Sequence, residues 1–312
     1  MSTEVGPTNI AAAQTPDRFP VKWREVVLFG LLAYGLAWVW SGFFLLPYLG
    51  DLLTQPTTPT DLVDRLGVVS VLPTMLAPMM AALIMRLFVS KEGLKGSLGL
   101  LRSWEYYLAA LVGPAVFATA VVFIVQALSL GEFSWSGASW FVYLMLMVSA
   151  LPVTLFTFGE EYGWRGYLLP RLLPLGEIRA TLLVGLIWGV WHLPLLLAGL
   201  NYPGVNVWLA LLVFLFVTVA LSFAYTWLYV ASGGSVLIAA VLHASFNNFA
   251  DKFWVPPLLS GANQFTPSLV GGIVIVALVV VVYGLFRRSV GVEDAQRFVH
   301  PKLDGTWRDW LR

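Results

Sequence analysis

A chain of 312 residues that is 59% hydrophobic and 11% charged, with a mean hydropathy of +0.81, cannot cover a water-facing surface; soluble domains carry about 25% charged residues. The composition excludes a soluble globular protein and predicts an all-α polytopic membrane protein with one helical domain. A net charge of +1 offers nothing to nucleic acid, and the lack of cysteine excludes disulfides, cysteine-ligated metal and thiol catalysis.

Residues 1–24 are polar and punctuated by proline, with no apolar region or cleavage site, and are expected to form a disordered cytoplasmic tail rather than a signal peptide. A membrane helix needs about 20 mostly apolar residues. Eight segments qualify, at about 26–47, 66–89, 105–130, 140–160, 180–200, 207–231, 234–252 and 267–286. The second holds Pro73 and Pro78 and is expected to kink. The apolar runs are too long, and alternate too little, for a closed β-barrel. A single domain is therefore expected over 25–288, followed by a cytoplasmic tail, 289–312. With both termini inside, 15 of the 18 Lys and Arg fall in cytoplasmic segments, Arg86 and Arg171 among them. Arg65 and Lys252 fall on the other side, and Arg165 lies in or near the membrane. That asymmetry is what the positive-inside rule expects of a plasma-membrane protein.

Against this background a few polar residues stand out. Glu160, Glu161 and Arg165 follow an apolar run of about one full span, while His192 and His243 sit inside apolar segments. A charge at the bilayer centre costs roughly 2.5–3.5 kcal/mol on insertion scales. Such groups persist where they pair, face a wet cavity or act chemically. Glu161 and Arg165 are four residues apart, share a helical face and are expected to pair as structural support. Glu160 points about 100° away and is left free. The competing reading is one salt-bridge cluster of all three. Trp188 and His192 are also four apart, so the indole is expected to orient the imidazole, and His243 and Asn247 repeat the spacing.

Glu160, His192, His243 and Asn247 together supply a base, two imidazoles and an amide, a set suited to attack of water on a carbonyl. Glu160 would act as general base, His192 would share the water, and His243 with Asn247 would donate to the oxyanion. Glu160, His192 and His243 would equally serve as three ligands of a catalytic Zn2+, although no HExxH spacing is present. No GxSxG, GxGxxG or Walker loop occurs, so serine and nucleotide chemistry have no support.

These motifs resemble the CAAX prenyl protease and bacteriocin-processing family of intramembrane peptidases, also called Abi or CPBP. Its EExxxR is met by Glu160, Glu161 and Arg165 in "EEYGWRGYLLPRL", its FxxxH by "WGVWH" from Trp188 to His192, and its HxxxN by His243 and Asn247. Trp188 in place of Phe is the one departure. The resemblance implies an all-helical membrane fold with a conical cavity, and a substrate that is a prenylated CAAX C-terminus or a small membrane-associated peptide. It also implies Glu160 and His192 as water activators and His243 with Asn247 as the oxyanion site, with mechanisms with and without metal both argued for it. Two other classes compete with an endopeptidase: a proton-coupled transporter using the same carboxylates and imidazoles, and an immunity protein that binds a peptide without cutting it.

Overall fold

A computed structural model describes residues 21–45, 68–99, 104–197, 202, 205–254, 258–261 and 264–286. Its long helices are α1 (Trp23–Leu45), α2 (Val68–Ile84), α3 (Trp104–Ala127) and α4 (Trp140–Gly163). The short α5 (Leu169–Leu172) precedes α6 (Glu177–Trp191) and α7 (Leu193–Leu197), and then come α8 (Val207–Ala231), α9 (Val236–Phe253) and α10 (Phe265–Phe286). Helices occupy nearly all of the described parts of the eight segments expected from sequence, with 180–200 divided at His192 between α6 and α7. Five spans are long and apolar enough to cross a membrane by length and composition: Trp23–Phe43, Leu72–Val89, Trp104–Ala127, Trp140–Leu175 and Val207–Ala231. The chain is an all-α polytopic membrane protein. Both expected tails lie almost wholly outside the described residues, although α1 already begins at Trp23.

The helices start where the sequence offers a cap. Ser139 accepts from the Val142 amide at the head of α4, Asn206 from Trp208 and Leu209 at α8, and Ser235 from Ile238 at α9; each side-chain oxygen satisfies an amide that the helix cannot. Outward side chains such as Val39, Phe43, Leu155 and Val116 are mostly exposed. That suits lipid, which is as apolar as they are. Two short antiparallel strands, β1 (Glu132–Phe133) and β2 (Leu259–Ser260), pair the α3–α4 connection with the α9–α10 connection.

α4 is the central member and packs against α2 and α9, while α6 packs on α8 and α9 also meets α3. Glycine permits the closest of these approaches. A Cβ on Gly163 would lie 2.4 Å from Pro78 Cβ and 2.7 Å from its carbonyl, and one on Gly185 would lie 2.6 Å from Val219 Cα. Gly159 and Gly189, each one turn from its partner glycine, meet α2 and α8 in the same way. These are the small-xxx-small contacts by which membrane helices gain dispersion energy without a hydrophobic drive.

The sequence reading ends the fourth helix at about residue 160, but the structure carries it to Leu175. After α4 a π turn, Trp164–Leu168, leads into α5 and a 3-10 turn, Leu173–Leu175. Glu160 and Glu161 therefore lie inside a helical rod rather than at its end. Pro170 has no amide to give the Gly166 carbonyl four residues earlier, and Arg86 fills that role, donating from Nη2 at 2.6 Å. Arg171 donates to Glu25 and to Glu92, both at 2.8 Å, and Arg86 also pairs with Glu92. Arg86 and Arg171, expected as cytoplasmic loop charges, are thus buried clamps that tie α1, the end of α2 and the rod together.

Candidate active site

The rod supplies three charges within six residues. Arg165, on the π turn, donates from Nη1 to Glu161 Oε1 at 3.0 Å and from Nη2 to Ser222 Oγ of α8 at 3.2 Å. Glu161 and Arg165 are fully buried. The pairing expected from their spacing is present, but Glu161 does more than pair: its Oε1 also meets Nδ1 of His243, on α9, at 2.9 Å. Thr157, one turn before Glu161, donates to the Ala240 carbonyl at 2.9 Å, which fixes α4 against α9 at this level.

Glu160 points elsewhere, as its position on the helix requires. Its Oε2 accepts from the indole Nε1 of Trp188 at 3.2 Å, and only 3% of the residue is exposed. The Trp188 ring stands edge-on to both imidazoles, 5.7 Å from His192 and 5.5 Å from His243 between centroids. One indole therefore touches the carboxylate and both histidines. This hydrogen bond to Glu160 was not foreseen from sequence; the WxxxH spacing announced only the contact with His192.

His192 is the C-cap of α6 rather than a residue within a longer helix. Its Nδ1 lies 2.9 Å from the Trp188 carbonyl. A carbonyl only accepts, so that nitrogen carries the proton and Nε2 presents a lone pair. Asn247 is half-buried one turn beyond His243 and has no hydrogen-bond partner among the described residues, whereas Asn248 donates to the Leu146 carbonyl and to Ser149. Glu160, Glu161, Arg165, Trp188, His192 and His243 are thus joined by direct contacts, and Asn247 flanks them. The cluster holds two carboxylates, one guanidinium and two imidazoles.

Among the described residues no three His, Cys, Asp or Glu side chains converge as metal ligands. The zinc set of Glu160, His192 and His243 weighed from the sequence does not fit this arrangement. Each histidine has its Nδ1 engaged, which leaves only Nε2 of each ring, and Glu160 Oε2 accepts from an indole; the atoms that remain do not converge as a three-ligand set. No chemical step is routed through a metal.

Sequence reasoning also missed two α8 residues. Ser222 anchors Arg165, and Tyr225 places its ring 4.4 Å beneath the Arg165 guanidinium, 5.6 Å from Trp188 and 5.7 Å from His243. Neither belongs to a recognisable motif. The signal was Thr218, Ser222 and Tyr225 at helical spacing in a mostly apolar span.

Residues 137–249, which include every residue of this cluster, match the family described as type II CAAX prenyl endopeptidase Rce1-like. Over 143 residues the chain is 28% identical to a protein named CAAX prenyl protease 2 from Methanococcus maripaludis, covering 44% of this chain and 52% of that protein. The chain thus spans about half the length of the curated relative it matches.

Proposed function

We propose, from the match of residues 137–249 to the type II CAAX prenyl endopeptidase Rce1-like family, that this chain is an intramembrane endopeptidase that hydrolyses a peptide bond near the C-terminus of a prenylated or small membrane-associated peptide. The observation that carries the reading is the double carboxylate split between two partners. Glu161 is neutralised by Arg165 and bound to His243, while Glu160 is held only by an indole beside both imidazoles. A second carboxylate that nothing cationic neutralises, next to an imidazole with a free Nε2, is the equipment of a general base.

In this reading Glu160 removes a proton from a water that His192 holds through Nε2, and the resulting hydroxide adds to the scissile carbonyl carbon. Negative charge moves to the carbonyl oxygen. His243, as an imidazolium with its Nδ1 proton directed at Glu161, donates from Nε2 to that oxygen, and the unpartnered amide of Asn247 donates beside it. The tetrahedral intermediate then collapses, the C–N bond breaks, and the proton on Glu160 passes to the leaving amine. Arg165 pairs with Glu161, which in turn keeps His243 oriented. The setting is the plasma membrane with both termini in the cytoplasm, in accord with the distribution of Lys and Arg.

The test is to incubate detergent-purified protein with a farnesylated CAAX peptide and with its unprenylated counterpart, with and without chelator, and to identify fragments by mass. Release of the residues after the prenylated cysteine supports the reading. Intact peptide under all conditions, together with proton-coupled uptake in vesicles, would replace it with transport.

A further inference from the structure

We propose that Tyr225 is a further catalytic residue, whose hydroxyl donates a hydrogen bond to the scissile carbonyl as that oxygen becomes an oxyanion. This rests on the peptidase reading and adds a residue that no motif predicts. Two independent observations meet at this side chain. The first is a cavity of about 1110 Å³ between α3, α8, α9 and α10, with Phe117, Tyr225, Leu228, Leu242 and Phe246 among its lining residues. It extends to Glu177, at the end of α6 that carries Arg179. Its walls are almost wholly apolar, and its size is that of a ligand site rather than a packing defect. Leu242 and Phe246 each precede a cluster residue on α9, and Tyr225 is the lining residue that contacts the cluster.

The second observation is the hydroxyl itself. Tyr225 is 1% exposed, and its oxygen has no hydrogen-bond partner among the described residues. Burying a hydroxyl without a partner is costly, and phenylalanine would pack equally well there. Tyr167, Thr181 and Thr226 also bury unpartnered hydroxyls, but none of them lines the cavity. Tyr225 alone lines it while touching Arg165, Trp188 and His243. A phenol keeps its proton at neutral pH, so it serves as a donor rather than a base. Developing negative charge at this point would also lie close to the Arg165 guanidinium, which sits over the same ring.

The experiment compares wild type, Tyr225→Phe and Glu160→Gln, all full-length, on a farnesylated CAAX peptide. Tyr225→Phe keeps the ring, and with it the contacts to Arg165, Trp188 and His243. Its kcat should fall about 100-fold, as removal of one oxyanion donor does elsewhere, with KM changed by less than about threefold if substrate binding does not use the bond. A second measurement reads binding alone. Affinity for a phosphonamidate analogue of the peptide, which carries the tetrahedral oxyanion, should fall by a similar factor in Tyr225→Phe. Affinity for the intact peptide, measured in the Glu160→Gln background, should not. Unchanged kcat, equal weakening of both ligands, or loss of folded protein would each overturn the inference, the last because only a hydroxyl has been removed. If wild type cleaves and Glu160→Gln does not, while Tyr225→Phe cleaves at full rate, this inference fails and the peptidase reading stands. If wild type cleaves nothing, both fail.

Discussion

The rod from Trp140 to Leu175 carries two buried charge networks, one on each side of the Gly166 carbonyl, and they differ in kind. Around Arg86 and Arg171, two guanidiniums meet two carboxylates, and the glutamates remain 14–15% exposed at the side chain. Each carboxylate there has two cationic partners, Lys22 with Arg171 at Glu25 and Arg86 with Arg171 at Glu92, and no imidazole takes part. Around Glu161 and Arg165 both partners of the ion pair are fully buried. A second carboxylate is left over, and histidines stand on two sides. A matched network at an edge joins elements together. An unmatched one in the interior is tolerated only if a proton moves through it or a substrate completes it. The π turn lies between them, Arg165 within it and Arg86 holding its Gly166 carbonyl.

The contrast is broken most severely at Glu160. Glu160→Gln keeps the shape and can still accept the indole hydrogen bond, but it has no basicity. It should lower peptide cleavage at least ~1000-fold, as loss of a base together with its water activation implies, while the detergent-solubilised protein elutes and melts as wild type. His192→Ala and His243→Ala should also abolish cleavage. Full activity in Glu160→Gln would remove the base from the mechanism.

Arg165→Ala attacks the same network through its structure. Removing one partner of a buried pair strands the other, at a cost of about 3–5 kcal/mol. Glu161 would lose its only guanidinium and His243 its orientation. The expected outcome is a low yield of folded protein, measured by size-exclusion after membrane extraction, rather than a folded and inactive enzyme. Normal yield with normal melting would show that Glu161 does not depend on this pair.

Much of this was legible because spacing encodes faces. Glu161 with Arg165 and His243 with Asn247 lie four apart, and the apolar runs around them are long enough to mark helices. Three things were not legible. The rod was cut short near 160, because polarity ends a hydropathy window while the backbone continues through a π turn that Pro170 and Arg86 make feasible. Arg86 and Arg171 read as loop charges, because nothing in a single sequence shows that Glu25 and Glu92 come to meet them. Tyr225 read as one aromatic among many, since its role depends on α8 packing against α6 through Gly185 and Gly189, a tertiary fact.

Arg171→Ala sharpens the comparison from the other side. It removes hydrogen bonds to Glu25, to Glu92 and to the Tyr167 carbonyl. Water can reach the freed glutamates, so the loss should be about 2 kcal/mol, near that of a single charge-assisted bond. It should appear as a lower melting temperature with kcat within about twofold of wild type. A collapse of kcat at unchanged melting would place this network in the chemistry and erase the distinction.

The smallest effect is expected at Trp188, where this chain departs from the phenylalanine of the motif it resembles. Trp188→Phe keeps an aromatic ring between the two imidazoles and removes only the N–H that holds Glu160 Oε2 at 3.2 Å. If the ring's packing is what the motif requires, the variant stays folded and active. The carboxylate then gains freedom to rotate, and fewer of its orientations face the water. A charge-assisted bond at that length contributes about 1.5 kcal/mol, so kcat/KM should fall about tenfold, with melting unchanged. A loss as deep as that of Glu160→Gln would mean that the indole N–H, not the ring, is what the position supplies. An unchanged rate would mean that Glu160 is held by its burial on the rod alone. In the first case the tryptophan is part of the catalytic geometry peculiar to this chain; in the second it only fills the space between two histidines.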